Sequence, residues 1–308
     1  MVVALIVFVS RESFAQMSTG VFGKLDRFHE RTFMKLNSGV NHFDRVIGGS
    51  DPFQGSATNS EFRLTLYTEV KSGSVNEYSV EPDFDVDLNL PRIERRFHLF
   101  INNLAPDELP GQSPLEQKRT TFIGVKQSVD WLKRVGLVTS AGIKWRLPPV
   151  LFAQAQLSHR VDAGRWMIEP KQSFFWFSDD DGFGEKTGLT VEYWENPRTF
   201  ARSATGVRWT EGTKGVEWSH ALSAGYILQG DKDDMIKTIG ARFVVAGHKS
   251  GSGILDSYRT DVYWRAPLYK DWLFYIINPE VTWENSYDWE PTRTLIVGVD
   301  MFFSGSSE

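Results

Sequence analysis

Residues 271–303 read DWLFYIINPEVTWENSYDWEPTRTLIVGVDMFF. Two segments of this stretch, 273–283 and 295–303, alternate between apolar side chains and polar or small ones, and an acidic loop separates them. A period of two over about ten residues, with aromatic residues near the ends, is typical of a β-strand that crosses a membrane. One face of such a strand meets lipid, and the other meets water inside a barrel. The predicted lipid-facing side chains are Leu273, Tyr275, Ile277, Pro279, Val281, Trp283, Leu295, Val297, Val299, Met301 and Phe303.

The composition of the 308 residues agrees with a barrel that has a polar interior. The mean hydropathy of −0.31 argues against a bundle of membrane-spanning helices, yet 14% of the residues are aromatic, with 11 Trp and 22 Phe. Such residues suit the aromatic girdles that flank the lipid-facing band of a barrel. The absence of Cys excludes disulfides and cysteine metal sites, and the net charge of −5 argues against a nucleic-acid partner. A soluble β-sandwich or lipocalin-like barrel is the alternative interpretation.

Residues 61–303 form the predicted barrel, an all-β domain in which strand follows strand. Alternation with a period of two can be followed through about 14 segments, with 12 or 16 as the alternatives. The segment near residues 121–128 alternates least clearly. An even number of strands is what single-chain bacterial barrels require. The sequence therefore predicts a transmembrane antiparallel β-barrel in a bacterial outer membrane, in contact with its lipid and lipopolysaccharide.

The predicted connections between strands sort into two sets if both termini lie in the periplasm. The longer and more acidic loops then fall on the outer side of the membrane, and the shorter turns fall on the periplasmic side. This asymmetry is usual for outer-membrane barrels. The predicted outer loops are residues 105–119, 178–186, 210–215, 247–253 and 284–292.

The segment that precedes the barrel divides into three parts. Residues 1–15 combine an apolar run with the small-x-small cleavage pattern Ser13-Phe14-Ala15, which predicts a secretory signal peptide. Residues 20–47 carry apolar side chains at spacings of three and four, which predicts an amphipathic helix. Residues 48–60, rich in Gly and Ser, form a linker. Three positions remain open for the helix: free in the periplasm, inside the barrel as a plug, or against the barrel rim.

Three stretches of the chain carry a resemblance to a known family. They are residues 174–184 (FFWFSDDDGFG), 215–219 (GVEWS) and 271–281 (DWLFYIINPEV). In these stretches the chain resembles an uncharacterised family of Gram-negative outer-membrane β-barrel proteins, and the resemblance covers most of the chain after the helix. Phe302-Phe303 also resembles the end of the closing strand of such barrels, although residues 304–308 follow it. The resemblance implies the fold and the location, and it implies no activity and no catalytic residues.

The sequence shows no arrangement of side chains that would carry out catalysis or hold a metal or cofactor. Ser158 and His159 are neighbours on opposite faces of a predicted strand, so they cannot pair as nucleophile and base. His98 is interpreted as a lumen-lining residue. The run at residues 179–182 lacks the alternating acidic pattern of a calcium loop, and it is interpreted as a solvated outer loop. We therefore expect no enzyme, no cofactor and no metal site.

Charged residues on the predicted inward faces are the candidate selectivity residues. Asp83, Asp85 and Asp87 lie about 7 Å apart on one face of one strand, and Arg63 and Arg96 are on the adjacent strands. If the acidic wall and a basic wall both face open water, they create a transverse field that selects small polar or charged solutes. If the charges pair, they fill the lumen instead. The predicted pore-lining residues are Asp83, Asp85, Asp87, Arg96, Lys144, Arg146, Arg202, Arg208, Arg242, Arg259 and Arg265.

The predicted function is passive passage of small polar or charged solutes through the outer membrane. About fourteen strands enclose more space than the eight whose side chains fill a barrel. One alternative is a structural barrel of an envelope complex, which would hold a periplasmic protein or another partner through its N-terminal helix or outer loops. A second alternative is a lipid-active barrel enzyme.

Overall fold

The computed structural model describes residues 23–39, 61–89, 97–102, 108–111, 121–132, 135–179, 182–213, 215–230, 235–249 and 255–303. Helix α1 occupies residues 23–39. None of the helices in these ranges is both long and apolar enough to cross a membrane. The strands are β1 (Glu61–Gly73), β2 (Glu77–Asn89), β3 (Phe97–Asn102), β4 (Phe122–Leu132), β5 (Val135–Lys144), β6 (Val150–His159), β7 (Val161–Ala163), β8 (Trp166–Phe177), β9 (Phe183–Asn196), β10 (Thr199–Thr210), β11 (Val216–Gln229), β12 (Lys237–Lys249), β13 (Ser257–Tyr269), β14 (Leu273–Glu284) and β15 (Pro291–Phe303).

The strands close into an antiparallel barrel. Strands that follow one another in the chain pair with one another, and β1 pairs with β15, with Phe62 opposite Phe303. Both β6 and the short β7 pair with β8, so these two segments are parts of one wall strand that is interrupted at Arg160. The wall therefore has 14 strands, which confirms the predicted fold and strand number. The least clear predicted segment forms β4.

Side chains alternate between the outside and the inside of this wall. In β1, Leu66 and Val70 are 45% and 42% exposed, whereas Thr65 and Glu69 are 1% and 5% exposed. A soluble protein would bury the apolar pair and expose the carboxylate. The inverted pattern is the one that a barrel surrounded by lipid requires, because the apolar face has a non-aqueous solvent.

Aromatic side chains on the outer surface gather near both ends of the strands. This placement matches the two girdles that mark the membrane–water interfaces of a transmembrane barrel. Near the end of the barrel where β1 begins and β15 ends, they are Trp166, Tyr193, Tyr226, Trp264 and Tyr275; near the opposite end they are Tyr78, Trp145, Trp176, Trp209, Tyr258 and Trp283.

The two ends of the barrel differ in their connections. We call the end that carries the start of β1 and the finish of β15 the terminal end, and the opposite end the loop end. Turns at the terminal end include the two-residue turns Gly164-Arg165 and Pro197-Arg198. Gly164 has a φ of +64°, which a residue without a Cβ adopts at little cost. The connections sort between the two ends as the alternation of strands predicts.

Helix α1 packs against the outside of the barrel at the terminal end. The His29 ring stacks on Trp272 and Phe303, with ring centroids 4.3 and 5.0 Å apart, and Phe33 packs edge-on against Phe62. Phe62 and Phe303 belong to the outward faces of β1 and β15, yet they are only 5% and 3% exposed, because the helix covers them. These contacts correct the plug alternative and leave the described helix at the rim.

Several predicted features lie outside the described residues. They are the signal peptide at residues 1–15, the ends of the helical segment at 20–22 and 40–47, and the linker at 48–60. They remain predictions.

Candidate pore lumen

A segment of the connection between β3 and β4 lies inside the barrel. Its described residues, 108–111, contact the inward faces of β9 to β12, on the far side of the lumen from β3 and β4. The Oγ of Ser219 donates a hydrogen bond to the Pro110 carbonyl at 2.7 Å, and the Nζ of Lys186 donates one to the Glu108 carbonyl at 2.8 Å. We call residues 108–111 the constriction segment. The sequence predicts this connection among the outer loops, but it does not predict that residues 108–111 lie inside the lumen.

The lumen wall is shaped to receive the constriction segment. A Cβ at Gly206 of β10 would overlap the Pro110 ring and approach Leu109 to 3.2 Å. Gly111 has a φ of +78° and packs against Ala221 and Val244, the inward residues of β11 and β12. Small side chains on this wall therefore allow the two backbones to approach closely.

An aromatic cluster covers the opposite side of the lumen near the loop end. Its members come from β3, β4, β6 and β8, and all are buried on the inward face although lumen side chains are mostly polar. The Nζ of Lys144, a predicted pore-lining residue, lies 5.1 Å from the Phe177 ring centroid in this cluster. Together with the constriction segment, the cluster narrows the loop-end half of the lumen. Its residues are Phe100, Phe122, Val150, Phe152, Phe175 and Phe177.

Asp300 organises the charges near the terminal end. Its carboxylate is fully buried and accepts two hydrogen bonds from Arg63, at 2.8 and 3.0 Å, and one from Thr65 at 2.9 Å. The Nε of Arg265 lies 3.6 Å from the same carboxylate, and its guanidinium stacks over Phe274 at 3.8 Å. A bidentate arginine and a second cation compensate the buried negative charge.

A second charge network lies at mid-height on β12, β13 and β14. Asp261 is 2% exposed, accepts a hydrogen bond from Arg242 at 2.8 Å and accepts another from Asn278 at 3.0 Å. Arg259 lies 4.0 Å from Asp261 and 3.5 Å from Glu280. Two arginines therefore alternate with two carboxylates along this wall.

The remaining predicted arginines that lie within the described residues also face carboxylates. Arg202 of β10 is paired with Glu192 of β9, which also accepts a hydrogen bond from Trp194 at 3.3 Å. Arg208 of β10 donates to Glu217 of β11 at 2.7 Å. The partners are directly opposite each other in the strand register. Arg146, which the sequence predicts to line the pore, lies in the loop after β5 rather than in the wall, and it forms an ion pair with Asp179 at 2.7 Å.

The predicted acidic wall is described in part. Asp83 and Asp85 of β2 lie opposite Thr65 and Arg63 on the inward face of β1, and Asp83 interacts electrostatically with Arg63. The backbone of Asp87 belongs to β2, but its side chain lies outside the described residues, as do all atoms of Arg96. Arg63 is thus shared between this wall and Asp300.

A cavity of ≈ 810 Å³ occupies the terminal half of the lumen. It extends from Pro110 and Gly111 of the constriction segment to side chains near the terminal end, such as Met167 and Trp194. Its walls combine aromatic rings with paired charges. Its polar and aromatic lining residues include Tyr67, Glu192, Arg202, Arg242, Tyr263 and Asn278.

The arrangement changes the expected electrostatics of the lumen. A transverse field needs separated walls of opposite charge, whereas most inward arginines here lie beside a carboxylate. Alternation in the sequence puts Glu192, Glu217, Asp261, Glu280 and Asp300 on the polar faces of their strands, but it does not identify them as partners of the arginines. The pairing could have been predicted in part from the sequence, because opposite charges recur on the inward faces of consecutive strands. Among the described residues, no group of three or more acidic or histidine side chains could hold a metal ion.

The solved structures that the chain resembles include outer-membrane proteins. The chain is similar to OccK2 (OpdF) of Pseudomonas aeruginosa, solved in complex with glucuronate, with 10% identity and a TM-score of 0.49 over 80% of this chain and 96% of that one. It is also similar to OccK3 (OpdO) of the same organism, with 9% identity and a TM-score of 0.48 over 79% of this chain and 94% of that one. The KdgM porin, solved in complex with disordered oligogalacturonate, is similar with 12% identity and a TM-score of 0.37 over 78% of this chain and 98% of that one. No protein-family model matches the chain, and no curated protein sequence matches it.

Proposed function

We propose that this protein is a passive pore of the Gram-negative outer membrane for small polar or charged solutes. The observation that carries the proposal is the cavity of ≈ 810 Å³ inside the barrel, bounded toward the loop end by the constriction segment. A lumen that served only as structural filling would have no reason to keep such a volume next to charged side chains. The apolar outer wall and its two aromatic girdles support the membrane location.

The lumen offers a solute both stacking surfaces and hydrogen-bonding groups. Tyr67, Trp194 and Tyr263 present rings, and Arg202 and Asn278 present polar atoms to the same cavity. Because the charges are largely paired, the pore discriminates by size and hydrogen bonding more than by net charge. We expect any ion preference to come from the carboxylates of β2, Asp83 and Asp85, which lie on the inward face opposite Thr65 and Arg63.

The test is ion selectivity in planar bilayers at high salt, where exposed surface charges are screened within about 3 Å. The refolded protein should conduct, and the double variant Asp83→Asn, Asp85→Asn should shift its reversal potential toward anions. The matched control is Asp288→Asn with Glu290→Gln, two exposed carboxylates in the loop between β14 and β15. The control should keep the wild-type reversal potential. An equal shift in both double variants would contradict an acidic wall inside the pore.

Two observations favour the alternative of a structural barrel. Inward charges are paired, and an aromatic cluster fills part of the lumen. This alternative predicts that folded and inserted protein stays silent in the bilayer. Folding is checked independently by the shift in gel mobility between heated and unheated samples. Silence from folded protein would replace the pore proposal with the structural one.

A further inference from the structure

Helix α1 has one side docked on the barrel and an opposite side that is exposed. Its docked side carries His29 and Phe33, and a carboxylate on the same side, Asp26, accepts a hydrogen bond from Lys270 in the turn between β13 and β14 at 2.9 Å. The basic residues of the helix all lie on the opposite, exposed side. They are Lys24, Arg27, Arg31 and Lys35.

The spacing of these four residues places them on one face. Residues three and four apart are neighbours on a helix surface, so their side chains form a continuous basic stripe. Asp26 is already paired with Lys270, which leaves Glu30 as the exposed carboxylate of the described helix. Apolar side chains flank the stripe: Phe28 is 56% exposed and Met34 is 54% exposed.

The position of α1 along the barrel axis determines whether its exposed side faces lipid headgroups or water. Its contact residues Trp272 and Phe303 lie three and four residues nearer the terminal end than the girdle residue Tyr275 and its partner Val299. That separation is about 10 Å along a strand and less along the barrel axis, because barrel strands are tilted. The helix therefore lies outside the wall at the level of the lipid headgroups.

We propose that the exposed face of α1 binds the anionic phospholipid headgroups of the membrane leaflet at the terminal end. The basic stripe supplies charge complementarity. Phe28 and Met34 lie on its two sides, and the one on the membrane side inserts beside the acyl chains. Surface-lying helices bind membranes by this combination of a basic polar face and apolar flanks. A protein partner would fit a solvated basic face equally well, but it would not explain exposed apolar flanks at headgroup height. The proposal requires that the barrel spans a membrane, and it is independent of whether the pore conducts.

The absence of Cys in the chain allows a clean test. The full-length variant Ser38→Cys, at the exposed end of α1, is labelled with an environment-sensitive fluorophore and refolded into vesicles of phosphatidylcholine alone or mixed with phosphatidylglycerol. We expect quenching by aqueous acrylamide, a neutral quencher that the anionic surface does not repel, to fall by roughly twofold or more in the anionic vesicles. High salt should remove that difference.

Two sets of substitutions separate lipid binding from other causes. Replacing Lys24, Arg27, Arg31 and Lys35 by Gln should return acrylamide quenching in anionic vesicles to the phosphatidylcholine level, and Glu30→Gln should lower the quenching of the otherwise wild-type helix further. Heat-modifiable gel mobility confirms in each case that the barrel is folded. Equal quenching in both kinds of vesicle, or a drop that the four Gln substitutions leave intact, would overturn the proposal. Label that stays accessible in every vesicle would indicate a face left for a soluble partner and would overturn it too.

Discussion

Substitution of Gly206 by Ala tests whether the constriction segment controls passage. Gly206 faces the lumen, and a Cβ there would overlap the Pro110 ring. The ring is fixed to the backbone, so residues 108–111 must move away by roughly an ångström to restore ordinary contact distance. The barrel wall itself has no reason to change, because Ala is compatible with a strand.

The size of the effect follows from what holds the segment in place. The hydrogen bond from Ser219 contributes about 1 kcal/mol, and the one from the charged Lys186 contributes about 1.5–3 kcal/mol. Overpacking a well-fitted contact costs about 1–3 kcal/mol. The equilibrium between the docked and displaced segment should therefore shift toward displacement by about 5- to 150-fold.

Single-channel recording of the refolded protein measures this shift as a larger open-state current or a higher open probability. The matched control is Gly188→Ala, because Gly188 lies directly opposite Gly206 on β9 and also faces the lumen. The nearest atoms to a Cβ at Gly188 are 3.7 and 3.9 Å away, so the added methyl meets no obstruction. If Gly206→Ala and Gly188→Ala conduct alike, the constriction segment does not limit the current and the reasoning fails.

Two further expectations concern stability. Asp300→Asn should destabilise the barrel by about 1.5–3 kcal/mol in urea unfolding from vesicles, because the buried site loses its charge-assisted hydrogen bonds from Arg63, whose side chain is 41% exposed. Asp162→Asn, in an ion pair whose carboxylate is 60% exposed, should cost less than about 1 kcal/mol, and similar losses would contradict the role assigned to Asp300. The hydrogen bond from Lys270 holds the pKa of Asp26 below its ordinary value of 3.8, so the pair favours docking of α1 above that pH and loses its effect as the pH falls through the lowered pKa. Hydrogen exchange of residues 23–39 should accordingly increase only below pH 3.8, and Asp26→Asn should remove this pH dependence.

The strands can be predicted from the sequence because their pattern depends only on residues that are neighbours in the chain. Successive side chains of a strand point to opposite faces, so a wall with lipid on one side and water on the other must alternate its residues. Alternation alone puts Leu66 on one face of its strand and Thr65 and Glu69 on the other, and the structure has Leu66 outside and the other two inside. The same rule gave the number of strands and the sorting of their connections between the two ends.

The sequence predicts that the lumen charges face inward, but it does not predict how they pair. Alternation placed Arg202 and Glu192 on inward faces, and likewise Arg242 and Asp261, but it does not fix how far one strand slides against the next. The register sets them directly opposite each other. A shift by two residues would preserve every inward face and break these pairs.

The sequence by itself determined the barrel and the faces of its strands and helix, and the closed tertiary structure decided what those faces meet. The constriction segment has the composition of an ordinary loop, and its inward course depends on Gly206 and Ser219, about a hundred residues away in the chain. The docking of α1 likewise needs Phe62 and Phe303 side by side, which happens only when the first and last strands join. Such contacts have no local signature, because their free energy comes from groups that folding alone brings together.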